Sequence, residues 1–459
     1  MPASVTDSPE PQEPQLVRGL SLAQATALNM IDMVGIGPFI TISFVIGAMK
    51  GPQCMIAWIV GAVLSLMDGF VWAELGAAFP RAGGSYIFLR KLYGEERWGR
   101  LFSFLYIWQT TIQAPLVIAS GAIGFAHYLA YIYPLGDGAS RMVSGGLVLL
   151  ITALLYRKIA DIGKISVFMW AVVAGTMIWL IVAGLTHFHS ELAFTFPEHA
   201  FDLNGLFFVG LGMASTKTIY SFLGYYNVCH LGGEIREPEK NIPRSIFISI
   251  TGICILYLLM QVSVLGVIPW QEAQGSEFIV STFFERIYGS TAAIVATSLI
   301  LFIAMASLFS ATLGYSRIPY AAAVNGDYFR IFSRLHPTRQ FPHVSLLILC
   351  GVSFVFSLLF KLADLITALI VMRILVQFIA QAAGLIAYRY KNKEAVFPFR
   401  MWLFPLPAII SIGIWLFIFF SNEWRFMLLA GAVIASGIMI FLVRASLGRS
   451  FPFQDKRSL

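Results

Sequence analysis

The chain has 459 residues, a formal net charge of +7, 58% hydrophobic residues, 12% charged residues and a mean hydropathy of +0.78. This apolar balance excludes an ordinary soluble domain and requires lipid as solvent. The positive charges are scattered over separate short loops and form no single basic face, which excludes nucleic-acid binding as their purpose.

From the N-terminus, residues 1–15 are polar, acidic and proline-bearing, without a basic segment leading into a short apolar stretch. A disordered tail over 1–17 and no removed signal peptide are expected. Crossing about 30 Å of hydrocarbon takes about 20 mostly apolar residues. Such segments lie near 20–48, 53–79, 98–133, 141–157, 162–186, 204–231, 243–268, 291–318, 343–361, 364–389, 401–421 and 424–446. About twelve transmembrane helices are therefore predicted. Lys and Arg crowd alternate loops, for example Arg81, Arg90, Lys91, Arg97 and Arg100, then Arg236, Lys240 and Arg244, then Arg317, Arg330, Arg334 and Arg339. The intervening loops hold only Lys50, Arg141, Arg286, Lys361 and Arg425. Because cytoplasmic loops retain basic residues, this predicts a multi-pass cell-membrane protein with both termini cytoplasmic.

Four cysteines, Cys54, Cys229, Cys254 and Cys350, sit in or beside apolar runs without C-x-x-C spacing, so neither a disulfide framework nor a metal site is expected. The chain has no G-x-S-x-G, H-E-x-x-H or Walker A pattern. It is read as a non-enzyme that needs no cofactor.

Two spans carry interruptions. Gly35-Ile36-Gly37-Pro38 lies mid-way along the first and Ser221-Phe222-Leu223-Gly224 at about mid-depth in the sixth. Freed backbone at membrane depth is tolerated only where it lines a cavity or is buried in protein. A packing kink is the alternative for either one alone. Paired breaks at equivalent places in two repeats point to a midplane transporter site.

These residues carry a resemblance. Gly35-Ile36-Gly37-Pro38-Phe39 resembles the G-S-G-I-F break of the amino acid, polyamine and organocation (APC) superfamily, and residues 73–94 resemble its second-to-third-span loop. Residues 232–246 are similar to its acidic sixth-span exit, and 316–347 to its eighth-to-ninth-span loop. Within the superfamily the chain looks closest to L-type and bacterial amino acid permeases. The resemblance implies an all-α membrane protein with a 5+5 inverted-repeat (LeuT-like) core over 18–390, its repeats covering about 18–190 and 200–390. Two peripheral helices over 391–446 and a cytoplasmic tail over 447–459 follow. The implied function is secondary active transport of L-amino acids by alternating access, with the substrate held at broken helices one and six. Ile36, Pro38 and the stretch Ser221 to Tyr226 depart from the family pattern, which leaves the substrate open.

A zwitterion at mid-membrane needs replacements for the water on both its charges. Unpaired N–H groups at a broken helix's N-terminal end suit a carboxylate, and free carbonyls at a C-terminal end suit an ammonium. The expected carboxylate site is the backbone at Gly35, Ile36 and Gly37. The expected ammonium acceptors are carbonyls near Ile31 to Val34 and Tyr220 to Phe222. Ser221, Gly224 and Tyr226 belong to the same candidate site, and Tyr220 resembles the aromatic that closes over substrate, with ordinary packing as its alternative.

Asp32, Asp68, Glu74, Lys217 and Arg373 lie at apparent membrane depth, at a cost of about 2.5 to 3.5 kcal/mol each. Asp32 and Lys217, each one turn before a break, are expected to pair, and Glu74 to pair with loop arginines. Gln109 and Gln113 share a helix face, and His230 reads as a packing histidine. Lys164 reads either as an interfacial lysine reaching headgroups or, by resemblance, as an ammonium beside the first break with Ser307 and Ser310 as acceptors. The partners are an amino acid and the lipid bilayer. Rival readings are a polyamine or cationic amino acid carrier, with Asp32 as counter-charge, and a non-transporting amino acid receptor on the same scaffold.

Overall fold

Ser21 starts the first helix with a capping box: its hydroxyl accepts the Gln24 N–H while Gln24 Oε1 accepts the Ser21 N–H at 3.0 Å. Helix α1, Leu22–Met33, is followed after three residues by α2, Gly37–Met49, and the axes bend by 43°. The first span is thus two helices, one on each side of the predicted interruption. The structure, a computed structural model, describes residues 16–359, 370–447 and 451–453. Most of both predicted tails, and Lys361, lie outside the described residues.

The chain continues through α3 (Met55–Ala78), an amphipathic α4 (Ser85–Leu92), α5 (Gly99–Leu129), α6 (Asp137–Leu155) and α7 (Ile159–Thr186). After a short α8 (Ser190–Phe194), Asn204 caps α9 (Gly205–Phe222) by accepting the Phe207 N–H at 3.0 Å. The sixth span resumes as α10 (Asn227–His230). Then come α11 (Pro238–Leu265), the short α12 (Trp270–Ala273), α13 (Ile279–Tyr288), α14 (Ser290–Tyr315), α15 (Arg317–Val324) and α16 (His343–Leu359). Three further helices, Ile370–Lys391, Leu406–Phe420 and Trp424–Leu447, complete the described chain.

Among the described residues, eight helices are long and apolar enough to span a membrane, the bent α1–α2 pair makes a ninth, and α16 and Leu406–Phe420 are shorter apolar helices. With the broken α9–α10 pair these account for the expected spans, and the chain is an all-α membrane protein. Inside the bundle α1 packs on α7, α11 and α14, while α2 packs on α9. Outward-facing apolar residues such as Phe168, Val182 and Ile255 present the surface that lipid would solvate.

At the end of the bundle that carries the Arg-rich loops, hereafter the basic end, those loops are tied together. Arg317 and Glu234, each 1% exposed, form a two-point ion pair at 2.8 Å. The Gly19 and Leu20 N–H groups donate to Glu234 O at 2.9 Å, and the Arg236 N–H returns to Leu20 O at 2.9 Å. Asp327 gathers Arg90 at 2.5 Å, the Tyr86 hydroxyl at 2.6 Å and Arg100 at 3.7 Å, while Arg444 donates to its backbone carbonyl. Glu74 pairs with Arg389 at 3.2 Å, as expected of a loop-facing carboxylate.

Candidate functional site

Helix α1 ends where the Val34 N–H closes on Met30 O and the Gly35 N–H turns back to Met33 O at 3.0 Å. Pro38 then falls in the first turn of α2, where its missing N–H has no intrahelical use and its fixed φ suits a helix start. The first N–H groups of α2 have no intrahelical acceptor, and the positive end of its dipole faces the break. In the sixth span Leu223 is extended and Gly224 has φ +127°, a conformation that favours glycine. A Cβ at Gly224 would also lie 2.8 Å from Met33 N and 2.9 Å from the Asp32 carbonyl carbon, so the two breaks touch backbone to backbone there.

Side chains from neighbouring helices hold the breaks. The Tyr257 hydroxyl of α11 lies 2.8 Å from Met33 O and 3.1 Å from Ser221 O, reaching a carbonyl in the last turn before each break. Asn29 of α1 donates to Tyr225 O at 2.8 Å and accepts the Val228 N–H at 2.9 Å, so it stands in for the turn that the sixth span lacks. Ser310 donates to Leu28 O at 2.7 Å and accepts from Asn227 at 2.8 Å, and Ser307 donates to Asp32 O at 3.2 Å. Thr41 and Ser221 share a hydrogen bond at 2.9 Å.

The breaks border a cavity of about 90 Å³. Gly35, Ile36 and Gly37 line it from the first span, and Tyr220, Ser221, Gly224 and Tyr226 from the sixth. Asp32, Ser307, Tyr315 and Arg373 add its remaining polar groups. Gly37 is needed for proximity: its φ is not in the positive range, but a Cβ there would lie 2.9 Å from the Tyr220 ring. A second cavity of about 690 Å³ lies toward the opposite end of the bundle, lined by Ile40, Phe44, His127, Arg141, Lys217 and Glu277 among others. One helical turn separates the two, since Ile36 lines the first and Ile40 the second on α2, and Tyr220 the first and Lys217 the second on α9.

Several expected residues stand elsewhere. Ile31 is fully buried in the apolar core, and Phe222 packs edge-on against Trp58 at 6.0 Å and Tyr257 at 5.1 Å, facing away from the cavity. Asp32 and Lys217 do not form the expected pair. They face different cavities, Asp32 with Arg373 and Lys217 over the Phe44 ring at 5.9 Å, because their helices run in opposite directions from the breaks. Lys164 is exposed on α7 while its neighbour Gly163 faces Gln24 of α1, so no ammonium stands beside the break from that position. Ser307 and Ser310 instead clamp α1 through its carbonyls. Among the described residues no group of three or more His, Cys, Asp or Glu could hold a metal ion.

Arg373 is 4% exposed. Its Nε donates to Gln377 Oε1 at 2.8 Å, a terminal nitrogen donates to the Tyr226 hydroxyl, and its plane lies over the Tyr226 and Phe378 rings at 5.3 and 5.6 Å. Asn29 and Tyr257 were missed by sequence reasoning. The available signal was polarity alone: a buried amide or hydroxyl inside an apolar span must find a partner.

A family model described as amino acid permease matches residues 20–445. The chain is 24% identical to the aspartate-proton symporter of Bacillus subtilis, over 95% of this chain and 85% of that protein. It is 25% identical to the human cystine/glutamate transporter, over 88% of this chain and 80% of that one. It is 26% identical to mouse cationic amino acid transporter 4, over 77% of this chain but only 57% of that protein's length. With the family match running from the first capping box to the last described helix, the chain belongs to the amino acid permeases of the APC superfamily.

Proposed function

We propose that the chain carries an amino acid across the cell membrane by alternating access, with the substrate held in the cavity between the two breaks. The observation that supports this most is that both interrupted helices turn their ends toward one cavity also lined by a carboxylate and a guanidinium. In this reading the α-carboxylate takes the N-terminal end of α2 and the ammonium lies near Asp32. The Met33 carbonyl accepts the Gly35 N–H, the single Tyr257 hydroxyl proton is shared between the Met33 and Ser221 carbonyls, and the Asp32 carbonyl accepts from Ser307, which leaves the Asp32 carboxylate as the stronger ammonium acceptor. The basic end is cytoplasmic and holds both termini. The five-span repeats, about 18–190 and 200–390, are the bodies that rock against each other, with two peripheral helices outside them. With the basic end tied shut, the path to the cavity in this conformation runs from the larger cavity on the opposite side.

Arg373 in the cavity wall disfavours the rival polyamine or cationic substrate by like-charge repulsion. The relatives' names include cationic, acidic and sulfur-containing amino acids, so likeness alone does not choose among them. The test is uptake of labelled amino acids into proteoliposomes, with Gly37→Val as the control. A side chain at position 37 drives into the Tyr220 ring, so this variant is expected to stay monodisperse in detergent and lose uptake. Wild-type uptake by Gly37→Val would remove the substrate from this cavity, and binding without accumulation by the native protein would make it a receptor.

A further inference from the structure

The cavity offers two receptors for anions and one for a cation. The N-terminal end of α2 is the first anion receptor, with backbone N–H groups and the helix dipole. Arg373 is the second: it lines the same cavity, and the partners its bonds engage, the Tyr226 hydroxyl and the Gln377 carboxamide, are uncharged. The one carboxylate among the residues lining it is Asp32, which feels the Arg373 charge through space although no ion pair within 4 Å joins the two among the described residues. A neutral amino acid has one carboxylate, so with that group at the helix terminus and its ammonium at Asp32 it would leave the donors of Arg373 without a substrate partner. A diamine or cationic amino acid would leave a second ammonium facing Arg373.

Resting on the reading that substrate sits between the breaks, we propose that the substrate is an amino dicarboxylate, that is, an acidic amino acid. Its α-carboxylate takes the α2 terminus, its ammonium meets Asp32, and its side-chain carboxylate meets the guanidinium of Arg373. The Tyr226 and Phe378 rings against the guanidinium, with Gln377 on Nε, hold the fork in one orientation, which suits two-point recognition of a carboxylate.

The experiment is uptake and thermal-shift titration of the purified full chain with L-aspartate, L-glutamate, L-asparagine, L-alanine and L-lysine, for wild type, Arg373→Gln and Arg373→Lys. Wild type is expected to prefer aspartate to its isostere asparagine by roughly 10- to 100-fold, the range for a charge-assisted hydrogen bond in a buried site. Arg373→Gln should remove that preference, and Arg373→Lys should restore part of it. A wild type that takes asparagine or alanine as well as aspartate, or one whose preference for aspartate survives Arg373→Gln, overturns the assignment while leaving the substrate at the breaks. A wild type whose uptake of every amino acid is unaffected by Gly37→Val fails on the site itself. Unfolding temperatures of the Arg373 variants, measured without ligand, separate lost recognition from lost folding.

Discussion

Tyr257 illustrates how much one side chain can organise. Its hydroxyl reaches Met33 O and Ser221 O, and its ring packs on Trp58 at 5.4 Å and Phe222 at 5.1 Å, all in a fully buried setting. Tyr257→Phe keeps the ring packing and removes the hydroxyl that Met33 O and Ser221 O share; Met33 O keeps the Gly35 N–H, so Ser221 O is the acceptor left short. Each unsatisfied buried polar group costs about 1 to 3 kcal/mol, so the unfolding temperature should fall modestly. The larger expected effect is on transport, because Met33 ends α1 and Ser221 lies in the last turn of α9, and the two would lose their shared anchor. Saturation kinetics of uptake would check this, and an unchanged KM in Tyr257→Phe would show that the hydroxyl does not set the site. The same logic explains why Asp68 is tolerated at membrane depth. It accepts from Tyr225 at 2.5 Å, Trp72 at 2.8 Å and Ser411 at 3.0 Å, a donor set that replaces its water.

Elements add what single residues cannot. The two broken spans lie with α1 against α10 and α2 against α9, so the C-terminal ends of α1 and α9 and the N-terminal end of α2 meet at one level. Gly224 sets that approach by both its φ of +127° and its contact with the Met33 and Asp32 backbone. Gly224→Ala should strain the turn and push α1 away, with uptake lost even though the change adds one methyl group. Gly146→Ala in α6 is the matching control. Nothing lies within 4 Å of a Cβ there, and alanine is a better helix former than glycine by about 1 kcal/mol, so its uptake should match wild type. Equal uptake by the two variants would show that the close approach of the breaks does not matter.

For the molecule as a whole, the state of the basic end is decided by a few long-range ties. Glu234 links the residues before α1, the exit of the sixth span and the start of α15, through its backbone carbonyl and its two-point pair with Arg317. Removing one partner of such a buried pair costs about 3 to 5 kcal/mol, because it strands the other charge. Glu234→Gln should therefore loosen closure and favour conformations open at the basic end. Cys229 is a native reporter, being 1% exposed on α10 with its thiol against the Trp72 carbonyl. Faster alkylation of Cys229 in Glu234→Gln than in wild type, judged against Cys54 on the opposite side of the first break, would confirm the shift. Equal rates would mean that the remaining ties around Asp327 suffice.

The span pattern, the two breaks and the basic loops were legible in the sequence because they are local properties. Apolar length decides what can cross a membrane, and glycine and proline decide where a helix stops. The resemblance added the expectation that those breaks share one site, and Gly35 to Gly37 and Tyr220 to Gly224 do border one cavity, apart from Phe222. Which charges face that cavity was not legible. Asp32 and Lys217 look equivalent in the sequence, one turn before each break, but α1 and α9 approach their breaks from opposite sides, so one lines the central cavity and the other the larger one. Arg373 read only as an expensive residue at membrane depth until the fold placed it opposite the first break. Asn29 and Tyr257 find their carbonyl partners on elements far away in the chain. Those pairings depend on how helices from both halves pack, and only the tertiary structure brings such distant groups within hydrogen-bond reach.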